Sequence, residues 1–112
     1  MKNENINFDK VEEMAEGDMD FQSELLNAIY ISIQDLKNKY VEGLSAQNEE
    51  IIQQARHKIK PTLSLFELKK LHAVLQEGKT IVSSNGFKDL EKHQAQFVQA
   101  ADDLLKDLHE IM

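Results

Sequence analysis

Residues 55–64, with the sequence ARHKIKPTLS, bring a histidine, a lysine and the chain's single proline close together along one helical stretch. Lys60 follows His57 by three residues and Pro61 follows it by four. A neutral imidazole carries a free lone pair on one ring nitrogen, and such a lone pair can attack phosphorus. A lysine one turn away can neutralise the oxygens of a phosphoryl group held on that ring. The spacing is compatible with phosphoryl chemistry at His57, assisted by Lys60, but an exposed histidine needs no functional explanation.

The helical pattern around this stretch predicts that His57 faces solvent. Successive helical residues turn by about 100°, which places four apolar residues on one side: Ile51, Ile52, Ala55 and Ile59. His57 points about 180° away from the centre of that stripe. Gln53 and Lys60 share its face, at the i−4 and i+3 positions. We therefore expect an exposed imidazole with an amide and an ammonium as neighbours.

Pro61 has a direct consequence for the same histidine. Proline lacks the N–H that would bond the carbonyl of residue i−4, and that residue is His57. We expect the helix to bend or loosen here, at a cost of about 3 kcal/mol if nothing compensates. A kink that wraps the helix around the core, or simply its last turn, would explain the proline without any function.

The stretch resembles the phosphoacceptor motif of the histidine-containing phosphotransfer domains of bacterial multistep phosphorelays. In that family, lysine stands three residues after the histidine and glycine usually stands four after it; here these positions are His57, Lys60 and Pro61. The preceding residues are similar to the family's helix, turn and helix, with the Gly-Asp pair at 17–18 at the expected start. The resemblance covers residues 8–77, and the last helix matches only in being long and amphipathic.

Two positions depart from the family's pattern. Pro61 stands where a small residue leaves room beside the imidazole, and Glu67 stands where a second small residue is common. Proline is short and rigid, so we expect it to preserve that access; Glu67 bears more on helix packing than on the chemistry. Four residues around the histidine are then expected to bind the partner: Gln53, Arg56, Pro61 and Ser64.

The resemblance implies a phosphorelay. A phosphorylated aspartate on a response-regulator receiver domain would present its phosphoryl group in line with Nε2 of His57, which would later pass it to another receiver. Mg²⁺ and most of the catalytic apparatus would belong to the receiver, so this chain would need no cofactor. It would be a carrier rather than an enzyme, with receiver domains and a hybrid histidine kinase as partners.

Two other functional interpretations remain open. The chain could be a bundle of the same shape that docks a signalling partner through the His57 face and is never phosphorylated. It could also be the acceptor domain of a larger histidine kinase, although its own initial methionine and helical end favour a free-standing protein.

The remaining histidines are not expected to hold a metal. His93 lies on the apolar stripe of the last helix and His72 lies near that of the fourth, so we expect both to be core or boundary residues with a local hydrogen bond. No histidine has a glutamate three residues before it, so the Glu-x-x-His motif of di-iron bundles is absent.

Composition bounds the fold that must position these residues. The 112 residues are 41% apolar, which suits one domain with one core. Four glycines and one proline among many Leu, Glu, Lys and Gln residues favour helix throughout. We therefore predict an all-α fold, with a flexible N-terminus at residues 1–7 and a single domain at residues 8–112.

Charge and targeting signals limit the partners. A formal net charge of −7 argues against binding to nucleic acid or to anionic membrane surfaces, because such binding depends on clusters of Lys and Arg. The absence of cysteine excludes disulfides and thiolate chemistry. The N-terminus lacks the apolar core of a signal peptide, and no apolar run approaches the ~20 residues of a membrane span. We expect a cytoplasmic monomer.

Capping residues, glycines and apolar stripes predict where successive helices begin and end. A short helix from residue 8 stops at Gly17, and Asp18 caps a long second helix that ends at residues 43–47. Its apolar stripe has seven members: Phe21, Leu25, Ile29, Ile33, Leu36, Tyr40 and Leu44. Asn48 caps the third helix, with acidic residues following in its first turn.

The second half of the chain predicts two more helices. Ser64 and Glu67 have the form of a capping box, so a fourth helix should start there and run to Gly78, followed by a linker at residues 80–86. From Phe87 a last stripe has seven members: Leu90, His93, Phe97, Ala101, Leu104, Leu108 and Ile111. We predict an antiparallel four-helix bundle with the short first helix across one end.

Overall fold

Five α-helices make up most of the residues that the structure describes. The computed structural model describes residues 5–88 and 90–112, and no strand occurs among them. The helices are α1 (Phe8–Ala15), α2 (Met19–Ala46), α3 (Glu49–Leu65), α4 (Lys69–Asn85) and α5 (Glu91–Ile111). The prediction of an all-α fold is confirmed.

The four long helices enclose one core. α2 packs against α3 and α5, and α4 packs against α5 and more sparsely against α3. The short connections at residues 47–48 and 66–68 reverse the chain, so the fold is the predicted antiparallel bundle with a short helix α1 packed on α2. None of the helices in the described residues combines the length and apolar character needed to cross a membrane.

Side-chain caps fix the starts of the first three helices. Asp18 Oδ1 accepts from the N–H of Phe21 at 3.0 Å, and Asn48 Oδ1 accepts from the N–H of Ile51 at 3.2 Å. These two caps are the predicted ones. Asn7 caps α1 in the same way, through the N–H of Asp9 at 3.1 Å. Each cap satisfies an N–H that has no partner within its helix.

The apolar stripe of α2 is confirmed except at its start. Ile29, Ile33, Leu36, Tyr40 and Leu44 are buried, and Leu25 is half-buried. Phe21 is 42% exposed, whereas Leu26, which the stripe did not include, is 1% exposed. Eight residues of helix turn by about 800°, so Phe21 stands about 80° from the direction of Ile29. The predicted place of Phe21 in the core was therefore wrong.

The boundary between α3 and α4 differs from the predicted capping box. Ser64 lies inside α3, Glu67 adopts a left-handed conformation at φ 52°, and Leu68 precedes α4 without any side-chain cap. Leu63, Phe66 and Leu68 are all buried. Burial of three large apolar side chains stabilises by several kcal/mol and outweighs a cap of about 1 kcal/mol.

Residues just before α1 hold this turn in place. The N–H of Asn7 donates to the carbonyl of Phe66 at 2.9 Å, and the Asn7 side-chain amide donates to Glu67 Oε2 at 3.0 Å. Ile6 is 1% exposed and Asn5 bonds Asp107 on α5. Of the N-terminus predicted to be flexible, residues 5–7 are thus packed, and residues 1–4 lie outside the described residues.

Helix α4 passes through Gly78 and does not stop there. It continues to Asn85, so most of the predicted linker at residues 80–86 is helical, and α5 begins at Glu91 rather than at Phe87. Gly78 is buried, and a Cβ there would overlap the side chains of Tyr40 and His93. The glycine thus permits a close approach between helices and does not mark a helix end.

Candidate functional site

His57 lies exposed on the solvent side of α3, as predicted. The buried residues of this helix are Ile52, Ala55, Ile59 and Leu63. Lys60 is also exposed, one turn after the histidine. The helix stays continuous through Pro61 and ends at Leu65, so the proline lies one turn before the end. It provides no N–H for the His57 carbonyl.

A groove between α3 and α4 contains His57. We call it the basic groove; its volume is about 250 Å³. α3 and α4 both contribute to its lining, which comprises Gln53, Arg56, His57, Lys60, Leu63, His72, Leu75, Gln76 and Lys79. Leu63 and Leu75 are buried and form an apolar floor. Charged and polar side chains therefore surround a small apolar surface.

The charged side chains that line the basic groove are all positive. Its lining holds three cationic side chains, two imidazoles and two amides, and none of its nine residues is acidic. Arg56, Lys60 and Lys79 form no salt bridge with a carboxylate in the part of the chain that the structure describes. One lining residue contacts a carboxylate, because Gln53 Nε2 donates to Glu49 Oε1 at 3.2 Å. The groove is suited to an anion.

The structure brings together four of the six predicted site residues. His57, Lys60, Gln53 and Arg56 line the basic groove. Pro61 and Ser64 are exposed on the same helix but do not line it; Ser64 borders a neighbouring depression. Their predicted role in binding a partner therefore stays a prediction.

Helix α4 supplies the part of the site that the sequence did not predict. His72, Gln76 and Lys79 follow one another at i, i+4 and i+7, which places them on one face. His72 is exposed, so its predicted place in the core or at its boundary was wrong. It neighbours the buried Leu71 in sequence but points about 100° away from it. The i, i+4, i+7 pattern was the available signal.

A buried pair, Tyr40 and His93, joins α2 to α5. The Tyr40 hydroxyl and Nε2 of His93 form a hydrogen bond of 2.8 Å, and the two rings meet edge to face with centroids 5.8 Å apart. His93 is 2% exposed, and its Nδ1 has no hydrogen-bond partner. The predicted place of His93 in the core, with a local hydrogen bond, is confirmed.

Burial shifts the ionisation of both groups. It raises the pKa of Tyr40 to about 12, although the positive charge of Arg56 opposes the shift. It also lowers the pKa of His93, although the carboxylate of Glu77 opposes that change. Both side chains are therefore neutral near pH 7. Arg56, whose positive charge influences the pKa of Tyr40, also lines the basic groove.

We expect the fold to lose stability as the pH falls below about 6.5, because of His93. The pKa of His93 is lower in the folded chain than its ordinary value. Between the two values the unfolded chain binds a proton that the folded chain excludes, so acid favours unfolding. Urea denaturation should therefore give a lower midpoint at about pH 5.5 than at about pH 7.5.

Two substitutions on α5 test this assignment, one at His93 and a matched control at His109. His93→Gln should flatten this pH dependence, whereas His109→Gln, which replaces an exposed histidine, should retain it. The same dependence in the His93→Gln variant would contradict the assignment.

The described residues contain no group of three or more His, Cys, Asp and Glu side chains placed to hold a metal ion. The two imidazoles of the basic groove stand among cationic side chains, which repel a metal cation. The charge of the groove therefore favours an anion over a metal cation.

Comparison with known proteins identified no relative of this chain. No family model matches it, and no curated protein or solved structure is similar to it. Conclusions about function therefore depend on the basic groove and on the motif around His57.

Proposed function

We propose that this protein is a phosphocarrier of a two-component phosphorelay, with His57 as the phosphoacceptor. The observation that carries the proposal is an exposed imidazole in a groove whose lining has three cations and no carboxylate. The resemblance of residues 8–77 to histidine-containing phosphotransfer domains supplies the type of reaction. The partners would be receiver domains and a hybrid histidine kinase in the cytoplasm.

In the proposed step, the lone pair on Nε2 of His57 attacks the phosphorus of an aspartyl phosphate on the partner. The new P–N bond forms as the P–O bond to the aspartate breaks, and its electron pair leaves with the carboxylate. Nδ1 keeps its proton. Transfer to a second receiver reverses these steps. Mg²⁺ on the partner supplies the remaining charge neutralisation, so this chain acts as carrier and not as an enzyme.

Lys60 and Arg56 support the step from the same helix. Both line the basic groove with His57, and neither has a carboxylate partner among the described residues. A phosphoryl group on the imidazole places negative charge beside them, and their attraction to it stabilises both the transition state and the product. The exposure of the site weakens that attraction, because water screens it.

Replacing Lys60 with alanine should slow phosphoryl transfer about threefold to fivefold, because one exposed charge contributes up to about 1 kcal/mol. The initial rate of label transfer from a phosphorylated receiver measures the effect. Lys58→Ala is the matched control: Lys58 is exposed but pairs with Asp35 at 3.1 Å, away from the basic groove. Equal rates for the two variants would contradict the electrostatic role of Lys60.

Pro61 provides a separate test of partner access. We expect Pro61→Gly to retain transfer and Pro61→Leu to slow it, because leucine adds a longer side chain beside the imidazole. Pro61 is exposed, so both variants should fold. Receiver titrations of the transfer rate distinguish weaker docking from slower chemistry. Identical rates for both variants would contradict the access explanation for this proline.

The experiment that tests the function is incubation with a panel of purified, radiolabelled phospho-receivers. Transfer of label to the protein from any of them supports the proposal. Binding of a receiver without transfer, unchanged in a His57→Gln variant, would instead favour a non-phosphorylated docking module.

A further inference from the structure

We propose that the basic groove also binds a free phosphate dianion, reversibly and without covalent chemistry at His57. The ligand class is a small tetrahedral anion, either inorganic phosphate or the phosphate group of a small monoester. This binding would be a property of the groove's two walls and would not depend on the relay. It would let free phosphate compete with a partner's phosphoryl group for the same side chains.

The charge distribution is the first reason. The chain carries a formal net charge of −7, yet three of its 13 Lys and Arg residues and two of its four histidines line this one groove. Elsewhere in the described residues, five lysines pair with carboxylates and four do not; the unpaired ones are Lys70, Lys88, Lys92 and Lys106, so the groove is distinguished by its cluster of unpaired cations. Arg56, Lys60 and Lys79 have no carboxylate partner in the described residues, so an external anion would neutralise part of their charge.

The second reason is the supply of hydrogen-bond donors from both walls. Lys60 and Arg56 line the α3 wall and Lys79 and Gln76 line the α4 wall, and each side chain has N–H groups that can donate to a bound anion. A phosphate dianion accepts several such bonds at once, and charged donors make the strongest of them. The exposed imidazole of His72 adds one ring N–H on the α4 side. A ligand with oxygens in several directions therefore matches the groove better than a planar carboxylate.

The size of the groove supports a small ligand. Its volume of about 250 Å³ lies below the roughly 300 Å³ at which pockets for drug-sized molecules begin. A phosphate bound in the groove would also contact the residues of α4, which lie outside the phosphoacceptor motif on α3.

The test is titration of inorganic phosphate into the ¹⁵N-labelled full chain at constant ionic strength, with chloride as the reference anion. We expect saturable amide shifts confined to α3 and α4, with a dissociation constant in the millimolar range, on the order of −4 kcal/mol. Lys79→Ala should weaken binding at least about threefold. Lys106→Ala, which removes an exposed lysine of α5 outside the groove, should leave it unchanged.

Two further arms separate the possible outcomes. His57→Gln should retain phosphate binding within about twofold while losing any capacity to accept a phosphoryl group, so this proposal and the relay can fail independently. Methyl phosphate should bind comparably if the natural ligand is a monoester, and more weakly if it is inorganic phosphate. Non-saturable shifts, equal effects of Lys79→Ala and Lys106→Ala, or loss of binding in His57→Gln would each overturn the proposal.

Discussion

Replacing His57 with glutamine should reduce label transfer from a phosphorylated receiver by at least about a hundredfold, because the amide has no nucleophilic ring nitrogen. The variant should fold normally, since the side chain it replaces is exposed on α3. Glutamine also retains hydrogen-bonding capacity, so receiver docking should persist. Autoradiography after incubation with the phospho-receiver measures the label, and circular dichroism confirms the fold.

His72→Gln is the matched control for this experiment. It removes the other exposed imidazole of the basic groove, on the opposite wall. We expect it to accept label at a reduced rate, because only the hydrogen bonds of the imidazole are lost. Full retention of label in His57→Gln, or its loss only in His72→Gln, would place the phosphoacceptor elsewhere.

Replacing Gly78 with valine should destabilise the fold by about 2 kcal/mol or more, lowering Tm by roughly 8 °C. A Cβ at this position would overlap Nε2 of His93 and the Tyr40 hydroxyl, and would lie 2.6 Å from Cε1 of His93. The added methyl groups would force α4 away from α5 or break the buried hydrogen bond. Valine is a somewhat better helix former than glycine, so any loss must come from packing.

Ala73→Val controls for the side chain itself. Ala73 lies on the same helix but is exposed, so the substitution should cost only about 0.5 kcal/mol. Chemical denaturation of both variants measures the difference. A Gly78→Val protein as stable as Ala73→Val would show that α4 does not need this close approach.

The fold was largely predictable because local signals and the apolar period agreed. Asp18 and Asn48 cap helices where the sequence places them, and the stripe of α5 is buried along most of its length. The predictions failed where tertiary packing outweighed a local signal. Ser64 and Glu67 form no capping box because neighbouring apolar residues are buried in the turn, and Gly78 lies inside a helix because two side chains occupy the space beside it.

The site was half predictable for a related reason. The α3 wall lies in one stretch of sequence, so helical geometry places His57, Lys60 and Gln53 together. The α4 wall depends on how two helices pack against each other, which the sequence pattern of either helix does not specify. His72 adjoins the apolar side of α4 in sequence, which predicted a place in the core or at its boundary, but one residue turns a side chain by about 100°. Only the packed bundle brings both walls to one groove.

The most direct measurement of the central claim is mapping of the phosphorylated atom after transfer from an active phospho-receiver. ³¹P NMR and fragmentation mass spectrometry under alkaline conditions, which preserve phosphoramidates, identify the bond and the residue. The proposed function predicts a single phosphoramidate on Nε2 of His57, formed from at least one receiver of a broad panel. A phosphoryl group on another residue, or none from any active receiver of that panel, would contradict it.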